Sequence, residues 1–263
     1  MARGEPEPPL RAFIPWVASL RSQRRSQFDP TASCSSVRRS LANAAPRKPV
    51  MALELSYIHR FEPSTDPSLP PVLVLHGTGG DETDLMPLGR EIALGAALLS
   101  PRGNVLEGNM PRFFRRFREG LFDEDDVRRR ASELANFVAE ARSVYGLAEP
   151  LALGYSNGAN IAAAVLLLHP KTLVGAILFR AMAPLTEPPR PDLSGVPVLI
   201  LSGLNDPVVP RSSAQKLAAA LAAAGARVEH DELPGAHGLT QADLTRAKAF
   251  YAREAAHSFR SGA

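Results

Sequence analysis

The sequence predicts an α/β domain, with a mostly parallel central sheet covered by helices on both faces. Three observations lead there. Short, continuously apolar runs recur along the chain, as strands buried on both faces require. Segments of helical character separate them. Gly, Pro or an acidic cap marks most of the junctions. The pattern starts near residue 51 and runs almost to the end of the 263 residues. A single domain of that size can bury a full core.

The elements follow in order. Leu53 to Phe61 reads as a first strand, with Leu53, Leu55 and Tyr57 at alternate positions. Residues 63–70 are rich in Pro and Ser and form a turn. Val72 to Leu75 and Ala96 to Leu99 are short buried strands. Asp123 to Tyr145 is a long amphipathic helix. Asp123 is its N-cap, acids fill its first turn, and Val127, Leu134, Phe137, Val138 and Ala141 form its apolar stripe. Gly146 ends it. Leu151 to Leu153 is a strand, and Asn157 to Leu168 is an almost wholly apolar, hence buried, helix that stops at His169-Pro170. Val174 to Phe179 and Val196 to Leu201 are strands. Ser212 to Ala224 is an Ala-rich helix closed by Gly225, Arg227 to Leu233 an alternating strand, and Thr240 to Ala256 the closing helix. No internal repeat is present.

Charge divides the chain. Residues 1–50 hold nine basic and three acidic residues; the rest holds 21 basic and 24 acidic. The net +3 therefore belongs to the tail, and the body is mildly acidic. Seven of the 24 prolines, the single Trp and the single Cys, Cys34, lie in the tail. One cysteine excludes a disulfide framework and a multi-cysteine zinc site. Met51 opens a natural first strand, so residues 1–50 are expected to be a disordered basic extension preceding an α/β domain over 51–263. The run Leu10 to Leu20 is short, carries Arg11 and Pro15, and has no clear cleavage site, which argues against a secretory signal. No run approaches the ~18 apolar residues of a membrane span. A cytoplasmic location is expected, with organelle targeting by residues 1–50 left open. The tail lacks the aromatic-interleaved basic stripe of a nucleic-acid surface, so no nucleic-acid partner is expected.

The chemistry centres on Gly154-Tyr155-Ser156-Asn157-Gly158. It matches G-x-S-x-G and lies between an apolar strand and an apolar helix. In that setting the serine sits on a strained turn, and the two glycines let strand and helix close around it. Its hydroxyl projects at a helix N-terminus, where free N–H groups favour negative charge. A hydroxyl needs a base, and the base needs an orienting acid. The chain order expected is Ser, then acid, then His. Asp206 follows the Val196–Leu201 strand and precedes Pro207; His237 follows the next strand, in Pro-Gly-Ala-His-Gly. All three candidates sit just after the carboxyl ends of strands, where open α/β sheets put their sites. Asp192, His230, Asp231, His59, His169 and His257 lie in linkers, strands or helix ends and are read as structural or solvated. Oxyanion-hole amides are expected from Asn157 and from Thr78, in the loop His76-Gly77-Thr78-Gly79-Gly80. His76 is read as a brace for that loop. The loop resembles the start of a dinucleotide fingerprint, but Glu82 takes the place of the third Gly and Asp81 adds a second acid, which would oppose a phosphate.

With these residues in view, residues 51–258 resemble the carboxylesterase/phospholipase family of α/β-hydrolases, which includes bacterial carboxylesterases and acyl-protein thioesterases. The resemblance rests on Leu-His-Gly-Thr-Gly-Gly-Asp-Glu (75–82), Ser-Pro-Arg-Gly-Asn (100–104), Pro-Arg-Phe-Phe-Arg-Arg (111–116), Gly-Tyr-Ser-Asn-Gly-Ala-Asn (154–160), Asp-Pro-Val-Val-Pro (206–210) and Gly-Ala-His-Gly-Leu (235–239). Within the family it looks closest to small bacterial hydrolases linked to hydroquinone or catechol resistance. It implies the α/β-hydrolase fold, a Ser156/Asp206/His237 triad and oxyanion amides from Thr78 and Asn157. The thioesterase branch usually carries Gln after its nucleophile; this chain has Asn157. Only Arg180 to Gly195 separates two successive strands, so no cap domain is expected and the site should be open. Arg112, Phe113, Arg115 and Arg116, in the long connection 102–122, are the candidate substrate wall; the alternative is surface arginines paired with Asp123 to Asp126 and phenylalanines packed inward. The expected activity is hydrolysis of small to medium carboxylic esters through an acyl-enzyme, with thioester or lysophospholipid hydrolysis by the same triad as the alternative and a non-catalytic scaffold as the remote one. The expected partner is a small-molecule ester. A homodimer is possible, and no metal or organic cofactor is implied.

Overall fold

The structure, a computed structural model, describes residues 55–261. The basic extension expected over 1–50 lies outside the described residues. The strands are β1 (His59–Glu62), β2 (Val72–Leu75), β3 (Leu98–Pro101), β4 (Val105–Glu107), β5 (Met110–Arg112), β6 (Arg116–Arg118), β7 (Leu121–Phe122), β8 (Leu151–Tyr155), β9 (Gly175–Phe179), β10 (Pro197–Gly203) and β11 (Arg227–Leu233). The helices are α1 (Met86–Ile92), α2 (Glu124–Tyr145), α3 (Asn157–Leu168), α4 (Arg211–Ala223) and α5 (Gln241–Ser261).

Seven strands form one sheet in the order β1-β3-β2-β8-β9-β10-β11. Only β1 runs antiparallel to its neighbour. Side chains alternate across the sheet and so divide the core in two. Leu73, Ala152, Ala176 and Val198 lie in one row and join Phe137 of α2, Val165 of α3 and Leu217 of α4. The next row, Val74, Leu153, Ile177 and Leu199, faces the other way, towards Ile92 of α1 and Leu244 and Phe250 of α5. This is why the central strands are apolar without interruption. Helix α3 is buried from Asn157 to Leu167, as its composition requires. Helix α2 is capped as expected: Asp123 accepts from the Asp126 amide at 3.1 Å, and Gly146 closes it with φ 67°.

The first strand is shorter than expected. Leu53 lies outside the described residues; among those described, the strand begins at His59 because its partner, β3, is itself four residues long, and pairing cannot outrun the partner. Helix α1 and the two hairpins β4–β5 and β6–β7 are additions to the expected pattern. From β2 the chain moves to one side, to β3, and later returns to the other side as β8. The order therefore reverses between β2 and β8, and a crevice opens at their carboxyl ends. The segment 180–196 carries no helix or strand, so among the described residues no cap domain sits over that crevice. Among the described residues, no helix is long and apolar enough to cross a membrane.

Candidate active site

Ser156 joins β8 to α3 without an intervening loop. Its backbone has φ 51° and ψ −114°, a conformation that L-residues rarely adopt. The flanking glycines are required by contact. A Cβ on Gly154 would lie 2.6 Å from the Gly158 carbonyl oxygen, and one on Gly158 would lie 2.2 Å from that of Leu75. The Ser156 amide donates to the Phe179 carbonyl at 2.8 Å, which ties the turn to β9.

Above this turn lies the loop after β11. His237 Nε2 is 3.1 Å from Ser156 Oγ, and its Nδ1 is 2.8 Å from Asp206 Oδ2. A carboxylate only accepts, so Nδ1 carries the proton and Nε2 is free to accept from the serine hydroxyl. Asp206 Oδ1 accepts from the Val208 and Val209 amides at 2.8 and 3.0 Å. Burial works to raise the Asp206 carboxyl, but the hydrogen bond from His237, the attraction of that imidazole when it is protonated, and the two amides outweigh it and hold the group below the usual carboxylate range. The three side chains named from the sequence thus form one continuous hydrogen-bonded chain.

Asn157 is the first residue of α3, so its amide has no acceptor within the helix. Its side-chain Oδ1 accepts from the Phe113 amide at 2.7 Å. Thr78 faces it from the loop after β2; its Oγ1 accepts from Arg112 Nη1 at 2.7 Å, and the next amide, Gly79, donates to the Pro111 carbonyl at 2.9 Å. Residues 111–113 therefore brace both sides of the crevice. His76 holds the loop from beneath. Its Nδ1 donates to the Gly77 carbonyl at 2.6 Å and its Nε2 accepts from the Gly103 amide at 2.9 Å. Burial pushes this imidazole down to about 4, so it stays neutral. Asp81 and Glu82 anchor the same loop; Glu82 accepts from Arg102 at 2.9 Å.

A cleft of about 80 Å³ opens between these groups, lined by Thr78, Ser156, Asn157, Met182, Val208 and His237 among others. A larger groove of about 1050 Å³ runs beside β1 and α1, but its charged walls, such as Arg90 with Glu62 and Lys248 with Glu91, present ion pairs and no nucleophile–base pair. Among the described residues, no group of three or more His, Cys, Asp or Glu could hold a metal ion.

A model of the phospholipase/carboxylesterase family matches residues 59–254, which takes in every element from β1 into α5. The chain belongs to that family. As a family member it is a hydrolase of the serine type, built on the α/β-hydrolase fold. It is 42% identical over 195 residues to MhqD of Bacillus subtilis strain 168, named as a hydrolase, covering 73% of this chain and 96% of MhqD. Among solved structures, the Bacillus cereus carboxylesterase superposes with a TM-score of 0.74 at 41% identity, over 76% of this chain and 95% of that one. A Mesorhizobium loti carboxylesterase superposes with a TM-score of 0.72 at 31% identity, over 76% and 96%.

The candidate substrate wall of this phospholipase/carboxylesterase-family hydrolase divides. Arg112 and Arg116 line the cleft. Phe113 does not: it is buried and packs on His76, with ring centres 4.7 Å apart. Arg115 turns away, donating to Asp123 at 2.8 Å at the start of α2. The two lining arginines are not free cations. Glu107 lies 3.3 Å from Arg112 and 3.0 Å from Arg116, and Glu119 also pairs with Arg116. The set is formally neutral, because the acids that match the arginines arrive from the neighbouring hairpin strand and turn.

One residue escaped the sequence reading altogether. Arg180 follows β9 directly, is fully buried and has φ 54°. Its guanidinium uses all five N–H groups: Nε to the Ala236 carbonyl, Nη1 to the Leu201 carbonyl and Asp243, and Nη2 to the Gly238 carbonyl and Asp243, at 2.7–3.1 Å. The signal was available, since an arginine straight after five buried strand residues must find a partner.

Proposed function

We propose that the protein hydrolyses small to medium carboxylic esters through an acyl-enzyme formed on Ser156. His237 Nε2 takes the hydroxyl proton as Ser156 Oγ attacks the ester carbonyl. Asp206 fixes the imidazole tautomer and stabilises the imidazolium. The Thr78 and Asn157 amides receive the developing oxyanion, where donors already in place contribute most. His237 then returns the proton to the departing alkoxide. In the second half, His237 activates a water that attacks the acyl carbonyl, and the acid leaves with Ser156 restored. The single observation that carries this reading is the unbroken hydrogen-bonded chain from Ser156 Oγ through His237 to Asp206. The neutral pairing of Arg112 and Arg116 favours uncharged esters over acids. The absence of a cap over the crevice favours direct entry from solvent.

The test is turnover of a short p-nitrophenyl ester by Ser156→Ala. The rate should fall by several orders of magnitude while the protein stays folded. Activity near the wild-type level would reject the assignment. A panel of esters, thioesters and lysophospholipids of matched acyl length, with the same variant as blank, then ranks the substrate classes.

A further inference from the structure

His237 lies in a loop with no strand or helix of its own over residues 234–239. Such a loop keeps its register only through the bonds made to its backbone. Four consecutive carbonyls are held. Gly235 O accepts from the Asn205 amide at 2.9 Å, and His237 O accepts from the Tyr155 hydroxyl at 3.1 Å. The two carbonyls on either side of His237 belong to one side chain: Ala236 O and Gly238 O accept from Arg180 at 2.9 and 2.8 Å.

The clamp is itself locked. Asp243, buried at the start of α5, takes two N–H groups of Arg180 and also accepts from the Thr240 amide and hydroxyl at 2.8 Å. Leu201 O receives both the Arg180 amide and Nη1, at 2.8 and 3.1 Å. A single planar group thus links the end of β10, the His237 loop and the start of α5. The left-handed backbone at Arg180 is where strain is tolerated to aim that group, a pattern seen at functional sites.

We propose that Arg180, held by Asp243, is a positioning residue for the reaction: it fixes the carbonyls of Ala236 and Gly238, the residues on either side of His237, and so keeps the imidazole in reach of both Ser156 and Asp206. The proposal rests on the Ser156–His237–Asp206 reading above. It touches no substrate. Its effect is on where the base sits when the serine proton leaves, and a misplacement of about 1 Å there costs on the order of 100-fold in rate.

The experiment compares the wild type with three variants: Arg180→Lys, the double variant Arg180→Met with Asp243→Asn, and Ser156→Ala. The double variant removes both buried charges together, so neither is left alone. Each is assayed for kcat and KM on p-nitrophenyl acetate. Fluorophosphonate labelling gives both the labelling rate and the final stoichiometry, and the far-downfield proton resonance of the His237 Nδ1–H is recorded. The double variant should lose about 100-fold in kcat with KM within about threefold, and label slowly but to full stoichiometry. Its downfield resonance should broaden or vanish. Lysine, with three donors for five acceptors, should recover part of the rate. A double variant that labels fully and keeps kcat within about threefold of wild type overturns the proposal. So does a loss of rate that only tracks a lower labelled fraction, since that is a fold-maintaining role. If the double variant does not fold, Arg180→Lys decides alone: kcat unchanged at full stoichiometry overturns the proposal. An active Ser156→Ala would instead overturn the underlying triad, separately from Arg180.

Discussion

Asp206→Asn is the sharpest perturbation of the site, because the structure dictates how the amide must sit. The Val208 and Val209 amides donate to Oδ1 of the carboxylate at 2.8 and 3.0 Å, and the ring faces Oδ2 at 2.8 Å. Those two donors will keep the carbonyl oxygen of the substituted side chain, which turns its NH2 towards the ring. The imidazole nitrogen there must then accept. Its proton moves to Nε2, the nitrogen that has to be empty to take the Ser156 hydrogen. The side chain keeps its size, so packing should not change. A wrong tautomer with intact geometry lowers kcat by about 10⁴ in a Ser-His-Asp triad. At 1.36 kcal/mol per decade that is about 5 kcal/mol of barrier. The assay is kcat on p-nitrophenyl acetate at neutral pH, with a thermal melt to verify folding. A folded variant within tenfold of wild type would refute the tautomer argument.

Two further outcomes are expected. His76 is neutral and buried, with its imidazole pushed down to about 4 from an unfolded value near 6.5. Its contribution is fully present above pH 6.5 and is lost as pH falls towards 4, on the order of 3 kcal/mol in all. Urea titrations at pH 7.5 and 4.5 should show that loss in the wild type and a smaller one in His76→Gln; equal losses would remove His76 from the account. Gly158→Ala places a Cβ 2.2 Å from the Leu75 oxygen, so β2 and α3 must separate. It should lose roughly 4 kcal/mol or more by denaturant titration, or fail to accumulate as soluble protein, and a near-wild-type melting point would contradict the close approach.

Much of this was legible in the residues, for physical reasons that differ from place to place. Ser156 was legible because its turn needs glycine on both sides and an apolar element on each flank. Asp206 and His237 were legible because each stands just past a strand and the order Ser, acid, His is constrained by the sheet. Helix α1 was not: it has seven residues, and its apolar residues fill too few turns to show a period. The strands β4 to β7 are two or three residues long and equally silent. The partner of Arg115 was legible in the acids at 123–126 that open the next helix, whereas Glu107 and Glu119, which meet Arg112 and Arg116, are brought there by hairpin pairing, which no linear pattern gives. Arg180 and Asp243 are 63 positions apart, and only the folded chain shows that they meet.

The strands of the excursion from Arg102 to Phe122 form two small hairpins outside the main sheet. The excursion supplies one wall of the cleft, through Met110, Arg112, Arg116, Glu119 and Phe122, whereas the groups proposed to react hang from β8, β10 and β11. A different 102–122 segment grafted here to redirect selectivity would have to return Phe113, Phe114 and Phe122 to the core they share with β2 and α2, and the tethers at His76, Thr78, Gly79 and Asn157.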